Sequence, residues 1–367
     1  MDGPSPLEQL PKFFTIGRTE GINIVDAMRK PLSGYLGGIP TGGYWVERLA
    51  SEWCDAFKVK HAIPCNSATS GLLAACLAVG IGPDSVVWTT AYSMSATAAC
   101  AKVLGAHIVF IDIETTRFSI NMNNFGSTPP KAIIVTNLFG HPAYLQCIRS
   151  WCDSNKVVMI EDNAQSPFAR EGGHYAGTIG HIGVFSLNIH KHIQAGEGGV
   201  VVTNDSTLAH RLQGAINHGE LGGSSQTGLN LRITEPTAAI ACAQLVKAPV
   251  IMKGRIALAE EMIDMFYSPW VITPERDIDC THSYYIAAFR VLDGERQKIL
   301  DRLWACNFPI RKGYSPTLNR IFNGSPCPVA EKLEDEELIT FEVCSYDPKP
   351  KHLKHMREIV KWATDDI

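Results

Sequence analysis

The chain has 367 residues, 45% hydrophobic and 19% charged, enough apolar material for a substantial core and too little polar bias for extensive disorder. Its net charge of −4 offers no general attraction to nucleic acid or to an anionic membrane, so an anionic ligand needs a local site. Eleven cysteines stand singly, without a C-x-x-C pair, which argues against a disulfide framework and a zinc site and suits reduced thiols in a cytoplasm.

Met1 to Lys12 holds three prolines and acidic residues where a signal peptide needs a basic and then an apolar run, so no export is expected. Apolar runs such as Ser70 to Gly80 are too short and too glycine-rich to cross a bilayer. From about Ala62 to Asn204 the chain alternates β-rich runs with helical stripes, the pattern of a βαβ layer with a mostly parallel sheet. Strands are predicted at Val86 to Thr89, Ile108 to Ile111, Ala132 to Val135 and Val157 to Ile160, with helices over Ser70 to Val79, Ala96 to Leu104 and Ala143 to Asn155. A further helix runs from Glu235 to about Lys247, is interrupted at Ala248-Pro249, and resumes to Phe266. Beyond it, a strand over Tyr284 to Val291, a helix near Arg296 to Cys306 and a terminal helix near His352 to Ala363 suggest a smaller α+β unit. The expected division is residues 1–247, N-terminal segment included, and residues 248–367.

Three segments carry chemistry. Val184 to Asp205 sets Lys191 between a Phe185-Ser186 strand end and the turn Gly196-Glu197-Gly198-Gly199, followed by an apolar valine strand. An amine that must form a Schiff base needs a fixed position, a partly dry pocket that lowers its pKa, and nearby groups for an anionic cofactor. Ser186 and its backbone offer phosphate contacts. Asp162 follows a buried strand, at the strand end where open α/β sheets place ligands. A carboxylate there can keep the ring nitrogen of pyridoxal phosphate protonated and so make the ring an electron sink, with Gln165 in reach of the ring hydroxyl. Ser67-Ala68-Thr69 precedes a helix, so Thr69 and the Ala68 amide can meet a phosphate, although simple capping explains the same residues.

In order and offset, Ser67-Ala68-Thr69, Glu161-Asp162-Asn163-Ala164-Gln165, Phe185-Ser186-Leu187 to Lys191 to Gly196, and Asn230-Leu231-Arg232-Ile233-Thr234-Glu235 resemble the sugar aminotransferases of the DegT/DnrJ/EryC1/StrS family, from about Gly37 to Glu235. The resemblance implies an α/β fold of type I among pyridoxal-phosphate enzymes, with a mostly parallel seven-stranded sheet between helices and a smaller C-terminal α+β domain. It implies pyridoxal 5′-phosphate on Lys191, with pyridoxamine 5′-phosphate as the amino-carrying form, an amino-acid donor such as L-glutamate, and a nucleotide-linked keto-deoxysugar acceptor. It also implies a homodimer with shared sites, Asn230 of one subunit touching the phosphate in the other.

By offset from Gly105-Ala106, the residue over the ring is Met94 where the family carries an aromatic, and Tyr92 is the other candidate. Ala68 stands where the family usually has glycine. His190 and His192 flank the lysine and are candidates to line the substrate opening, while Arg311, Lys312 and Tyr314 lie in a stretch that borders sugar and diphosphate in relatives. The loops Gly34 to Gly38 and Thr41 to Tyr44 fall in similar stretches. Two other readings remain: a sugar dehydratase, in which histidine replaces the lysine, and a non-catalytic regulator on the same fold. Lys191 speaks against the first, and the lack of a basic patch or helix-turn-helix against a DNA-binding form of the second.

Overall fold

The computed structural model describes residues 3–33, 35, 41–219 and 227–365. Helices α1 (Arg18–Ala27) and α2 (Tyr44–Phe57) precede β1 (His61–Cys65), α3 (Ala68–Ala78), β2 (Val86–Thr90), α4 (Ala96–Lys102) and β3 (His107–Ile111). Then come β4 (Ala132–Thr136), α5 (Leu145–Asn155), β5 (Val158–Asp162), the short strands β6 (Arg170–Glu171) and β7 (His174–Tyr175), β8 (Ile182–Ser186), β9 (Gly199–Thr203) and α6 (Ser206–Ile216). Seven of these strands form one sheet in the order β1-β9-β8-β5-β4-β2-β3. Neighbours are parallel except at β9, which runs antiparallel to both β1 and β8.

Near-continuous apolar strands require cover on both faces, and alternation along each strand divides that cover. Ile134, Ile160, Val184 and Val201 face a core shared with Leu72 and Ala75 of α3 and Leu212 of α6. On the other face Phe185, Val200 and Val202 pack with Trp53 and Phe57 of α2, and Ile133, Val135 and Met159 pack with Ile148 of α5.

The second unit follows α7 (Glu235–Met265): β10 (Val271–Ile272), β11 (Cys280–Thr281), β12 (Ala287–Val291), α8 (Arg296–Ala305), β13 (Ile310–Arg311), α9 (Leu318–Ile321), α10 (Pro328–Lys332), β14 (Leu338–Phe341) and α11 (Pro350–Thr364). Its antiparallel sheet has the order β10-β12-β14-β13. Phe289 and Phe341 share a core with Met262 and Phe266 at the end of α7 and Ile359 of α11.

Three expectations are corrected here. The break at Ala248-Pro249 does not occur, and α7 is continuous for 31 residues. Pro249 lies on the exposed side of the helix while Ala248, Ile251 and Met252 are buried, so its ring points away from the core and apolar packing carries the helix through the one missing N–H. The expected division at residue 247 therefore lies inside one helix, and Leu7 and Leu10, assigned with the first unit, pack in the core of the second. The strand expected from Tyr284 begins only at Ala287, because Tyr284 has φ 50° and the residues on either side of it bond to the turn that follows β4. Ser283 N–H donates to Gly140 O at 2.8 Å and Ile286 N–H to Phe139 O at 3.1 Å. This seam fixes Tyr285 beside the lysine loop.

Candidate active site

Lys191 sits on the loop that joins the antiparallel pair β8 and β9. Paired amides close the loop: Leu187 N–H donates to Gly198 O, Ile189 N–H to Gly196 O and Lys191 N–H to Asn188 O, each at 2.9 Å. Gly196 and Gly198 hold φ of 86° and 146°, conformations that a side chain disfavours. The half-buried lysine lays its Nζ 4.0 Å from the centre of the Tyr285 ring. Burial pulls its pKa down to about 8, against the opposing pull of Asp162 and Cys344. The ring face favours the ammonium form, so Tyr285→Leu is expected to lower the proton affinity of Lys191 by roughly threefold to tenfold while Tyr285→Phe leaves it unchanged. The pH dependence of acetic anhydride labelling of Lys191 in cofactor-free protein measures this. Equal midpoints in the leucine and phenylalanine variants would refute it.

Asp162 ends β5, and its buried carboxylate accepts from Thr97 Oγ1 at 2.7 Å and from Ala164 N at 3.2 Å. Burial raises its pKa, and these two donors and Lys191 act in the other direction. Strand alternation sends Glu161 the opposite way, where it accepts from Asn137 Nδ2 at 2.9 Å and from the amides of Gly177, Ile179 and Gly180. The adjacent carboxylates therefore divide their work: Glu161 holds the loop before β8, and Asp162 faces the lysine.

Gln165 accepts from Phe139 N at 2.9 Å and donates through Nε2 to Tyr314 Oη at 2.9 Å, so both of its polar ends are engaged. Tyr314 reaches across from the second unit and stacks on Phe139. Tyr92 is fully buried, its hydroxyl donating to Tyr314 O at 3.0 Å and accepting from Tyr314 N at 2.9 Å. Met94 keeps 50% of its surface exposed, so of the two ring-covering candidates Met94 is the one with a free face.

At the start of α3, Ser67 is the N-cap and takes the Ser70 amide at 3.1 Å, outside the first-turn amides of Ala68 and Thr69. Gly199 pairs with Ser186 on one side and Cys65 on the other, and a methyl on it would lie 2.7 Å from Ala68 N. Ala68 and Ser186 thus converge around one glycine, with Thr69 exposed beside them. Ala68 is already helical, so its methyl group costs no strain where the family favours glycine. Gly199→Ala is expected to push the Ser67-Ala68 peptide away, with a loss of about 1–3 kcal/mol of stability. It should also weaken pyridoxal 5′-phosphate about tenfold, roughly one lost charge-assisted hydrogen bond. Calorimetry and a fluorescence titration read the two effects, and a wild-type melting temperature would contradict the first.

Other candidates lie apart. His192 is corrected as a substrate residue: it is fully buried, with Nε2 at 2.9 Å from Ser283 O, because its turn of the loop faces the seam between the units. His190 is exposed. Arg311 is 66% exposed and lies 3.4 Å from Glu342, whereas Lys312, just past the end of β13, reaches Gln297 of α8 at 3.0 Å. Asn230 is exposed and bridges Asn217. Gly34 and residues 36–38 lie outside the described residues. Thr97, Tyr285 and Gly199 contribute contacts that motif spacing did not single out; only the glycine belonged to a motif already noticed.

A loop lysine and a strand-end carboxylate, under a helix N-terminus on a mostly parallel seven-stranded sheet, define a pyridoxal-phosphate enzyme of fold type I. The residues present suit that cofactor, since a partly dry amine, a buried carboxylate and uncapped helix amides match its aldehyde, ring nitrogen and phosphate. The sequence profile of the DegT/DnrJ/EryC1/StrS aminotransferase family matches residues 33–340, and the chain belongs to that family. It is 29% identical over 259 residues to GDP-perosamine synthase of Escherichia coli O157:H7, covering 64% of this chain and 70% of that protein. It is 30% identical over 306 residues to UDP-N-acetyl-3-dehydro-α-D-glucosamine 3-aminotransferase of Acidithiobacillus ferrooxidans, covering 79% and 81%. The crystal structure of an aminotransferase from Psychrobacter cryohalolentis superposes with a TM-score of 0.85 at 23% identity, covering 97% of this chain and 98% of that one. No helix among the described residues is long and apolar enough to cross a membrane.

Proposed function

We propose that this enzyme moves an amino group from an amino acid, L-glutamate in our reading, to the keto group of a nucleotide-linked deoxysugar. The observation that carries the reading is Lys191 itself, an amine with a pKa of about 8 held in the field of the buried Asp162. Bound there, pyridoxal 5′-phosphate supplies an electron sink for the carbon that loses or gains the amine. Lys191 Nζ would hold the cofactor and, near neutral pH, both take a proton from that carbon and return one. Asp162 would keep the ring nitrogen protonated, and Ala68, Thr69 and Ser186 would bind the phosphate. Met94 would cover one ring face. Tyr314 and Arg311 would orient the acceptor, the relatives named above being proteins of GDP- and UDP-linked sugars.

The same reading takes two copies as the working unit, with Asn230 completing the partner's phosphate site. Ile22, Val25 and Met28 on α1 and Val246 and Val250 on α7 are exposed, and the two helices pack together, which supports an apolar face for a second copy.

The test supplies L-[15N]glutamate, pyridoxal 5′-phosphate and GDP- or UDP-linked keto-deoxysugars, and reads the products by mass spectrometry. Labelled nitrogen in the sugar is expected. Loss of a sugar hydroxyl without nitrogen gain would overturn the reading in favour of a dehydratase.

A further inference from the structure

We propose that Thr97 is a positioning residue for Asp162 and that, with Ser93 behind it, it forms a one-way chain of buried hydroxyls that keeps this carboxyl ionised and in place. The inference rests on Asp162 being the partner of the cofactor's ring nitrogen. Thr97, in the first turn of α4, is fully buried and places Oγ1 2.7 Å from Asp162 Oδ2. Ser93, buried just before the helix, places Oγ 2.9 Å from Thr97 Oγ1. Thr136 approaches Ser93 only at 3.4 Å, too far to add much.

An ionised carboxylate has no proton to give, so the single hydroxyl hydrogen of Thr97 goes to Asp162. Thr97 must then accept from Ser93. Both O–H dipoles therefore point at the carboxylate, and chains of this kind strengthen each other where the dielectric is low. A protonated Asp162 gains less from that direction, because a neutral carboxyl oxygen is the weaker acceptor.

The groups around Asp162 show why a fixed donor matters. Lys191 faces it from the β8–β9 loop, Tyr314 from the second unit and Cys100 from α4, while Ala164 N–H donates to its other oxygen. Of these, only Lys191 brings a full positive charge in the cofactor-free protein, and it does so from a side chain whose amine titrates near pH 8. Burial meanwhile opposes ionisation throughout. The hydroxyls of Thr97 and Ser93 have no charge to lose in this way, so they favour the carboxylate on either side of that pH.

Infrared spectra of the cofactor-free protein across pH, with the Asp162→Asn spectrum subtracted, isolate the carboxyl band of Asp162. Thr97→Val should raise its proton affinity about tenfold, the size of one hydrogen bond to a charged group. Thr97→Ser should restore the wild-type midpoint, and Ser93→Ala should move it the same way by less. Equal midpoints in wild type and Thr97→Val overturn the proposal, and so does a serine variant that behaves like valine. If Thr97→Val does not fold, Ser93→Ala carries the test, and no upward shift in it is a refutation. Because the protein is free of cofactor, the result is separate from amino transfer, which the labelled-nitrogen experiment decides.

Discussion

Lys191→Ala is expected to lower amino transfer by about 10,000-fold, the upper range for loss of a positioned acid and base. It should also abolish the covalent link that borohydride fixes between pyridoxal 5′-phosphate and the peptide containing residue 191. The reason is local. Asp162 has Lys191 as its cationic neighbour, and Lys312, a candidate of the same type in the sequence, is held on α8 by Gln297. An alanine leaves Thr97, Asp162 and the start of α3 untouched, so the variant should still fold and bind the cofactor without a covalent bond. A borohydride adduct that persists in the variant would remove the lysine from the site.

A second large effect concerns acid. His141 and His192 are buried at the seam between the two units, and burial lowers the pKa of each to about 4. His282 lies beside His141, with ring centres 4.8 Å apart, and is lowered well below its usual value by burial and by its two neighbours. His192 already spends Nε2 on Ser283 O, and among the described residues its Nδ1 has no hydrogen-bond partner to receive a second proton's charge. Unfolded histidine titrates near 6.5, so above that pH both states are neutral and nothing is lost. Between about 6.5 and 4 the unfolded chain takes up protons that the folded chain refuses, and stability falls by about 3 kcal/mol for each of His141 and His192. Urea unfolding at pH 7.5, 6 and 5 should show the midpoint dropping, and His141→Gln with His192→Gln should flatten the drop. A wild-type midpoint unchanged from pH 7.5 to 5 would contradict the account.

The residues legible in the sequence are those whose role follows from position in a regular element. Asp162 could be placed because Val157 to Ile160 is a continuous apolar run and the residues that end its strand emerge at the sheet's ligand edge. Lys191 could be placed because strand, glycine turn and strand enclose it. Tyr92 and Met94 could not be separated, since β2 ends at Thr90 and the alternation that would assign faces stops with it. His192 adjoins the lysine in sequence and shares the Tyr285 ring with it, yet it is fully buried with Nε2 against Ser283 O. Thr97 lay in an alanine-rich helix, where a threonine carries no signal until β5 is packed alongside.

By itself the amino-acid sequence determined the alternating elements, the glycines that close the lysine loop and the positions of Lys191 and Asp162 at strand ends, because each depends on neighbours within a few residues. Tertiary structure alone decided that α7 runs through Pro249, that Gly199 brings Ser186 and Ala68 together, and that Tyr285, Tyr314 and Thr97 meet Lys191, Gln165 and Asp162. Those contacts join residues up to about 150 positions apart. Burial across such distances sets the pKa of an amine or a carboxyl, and no local pattern records it.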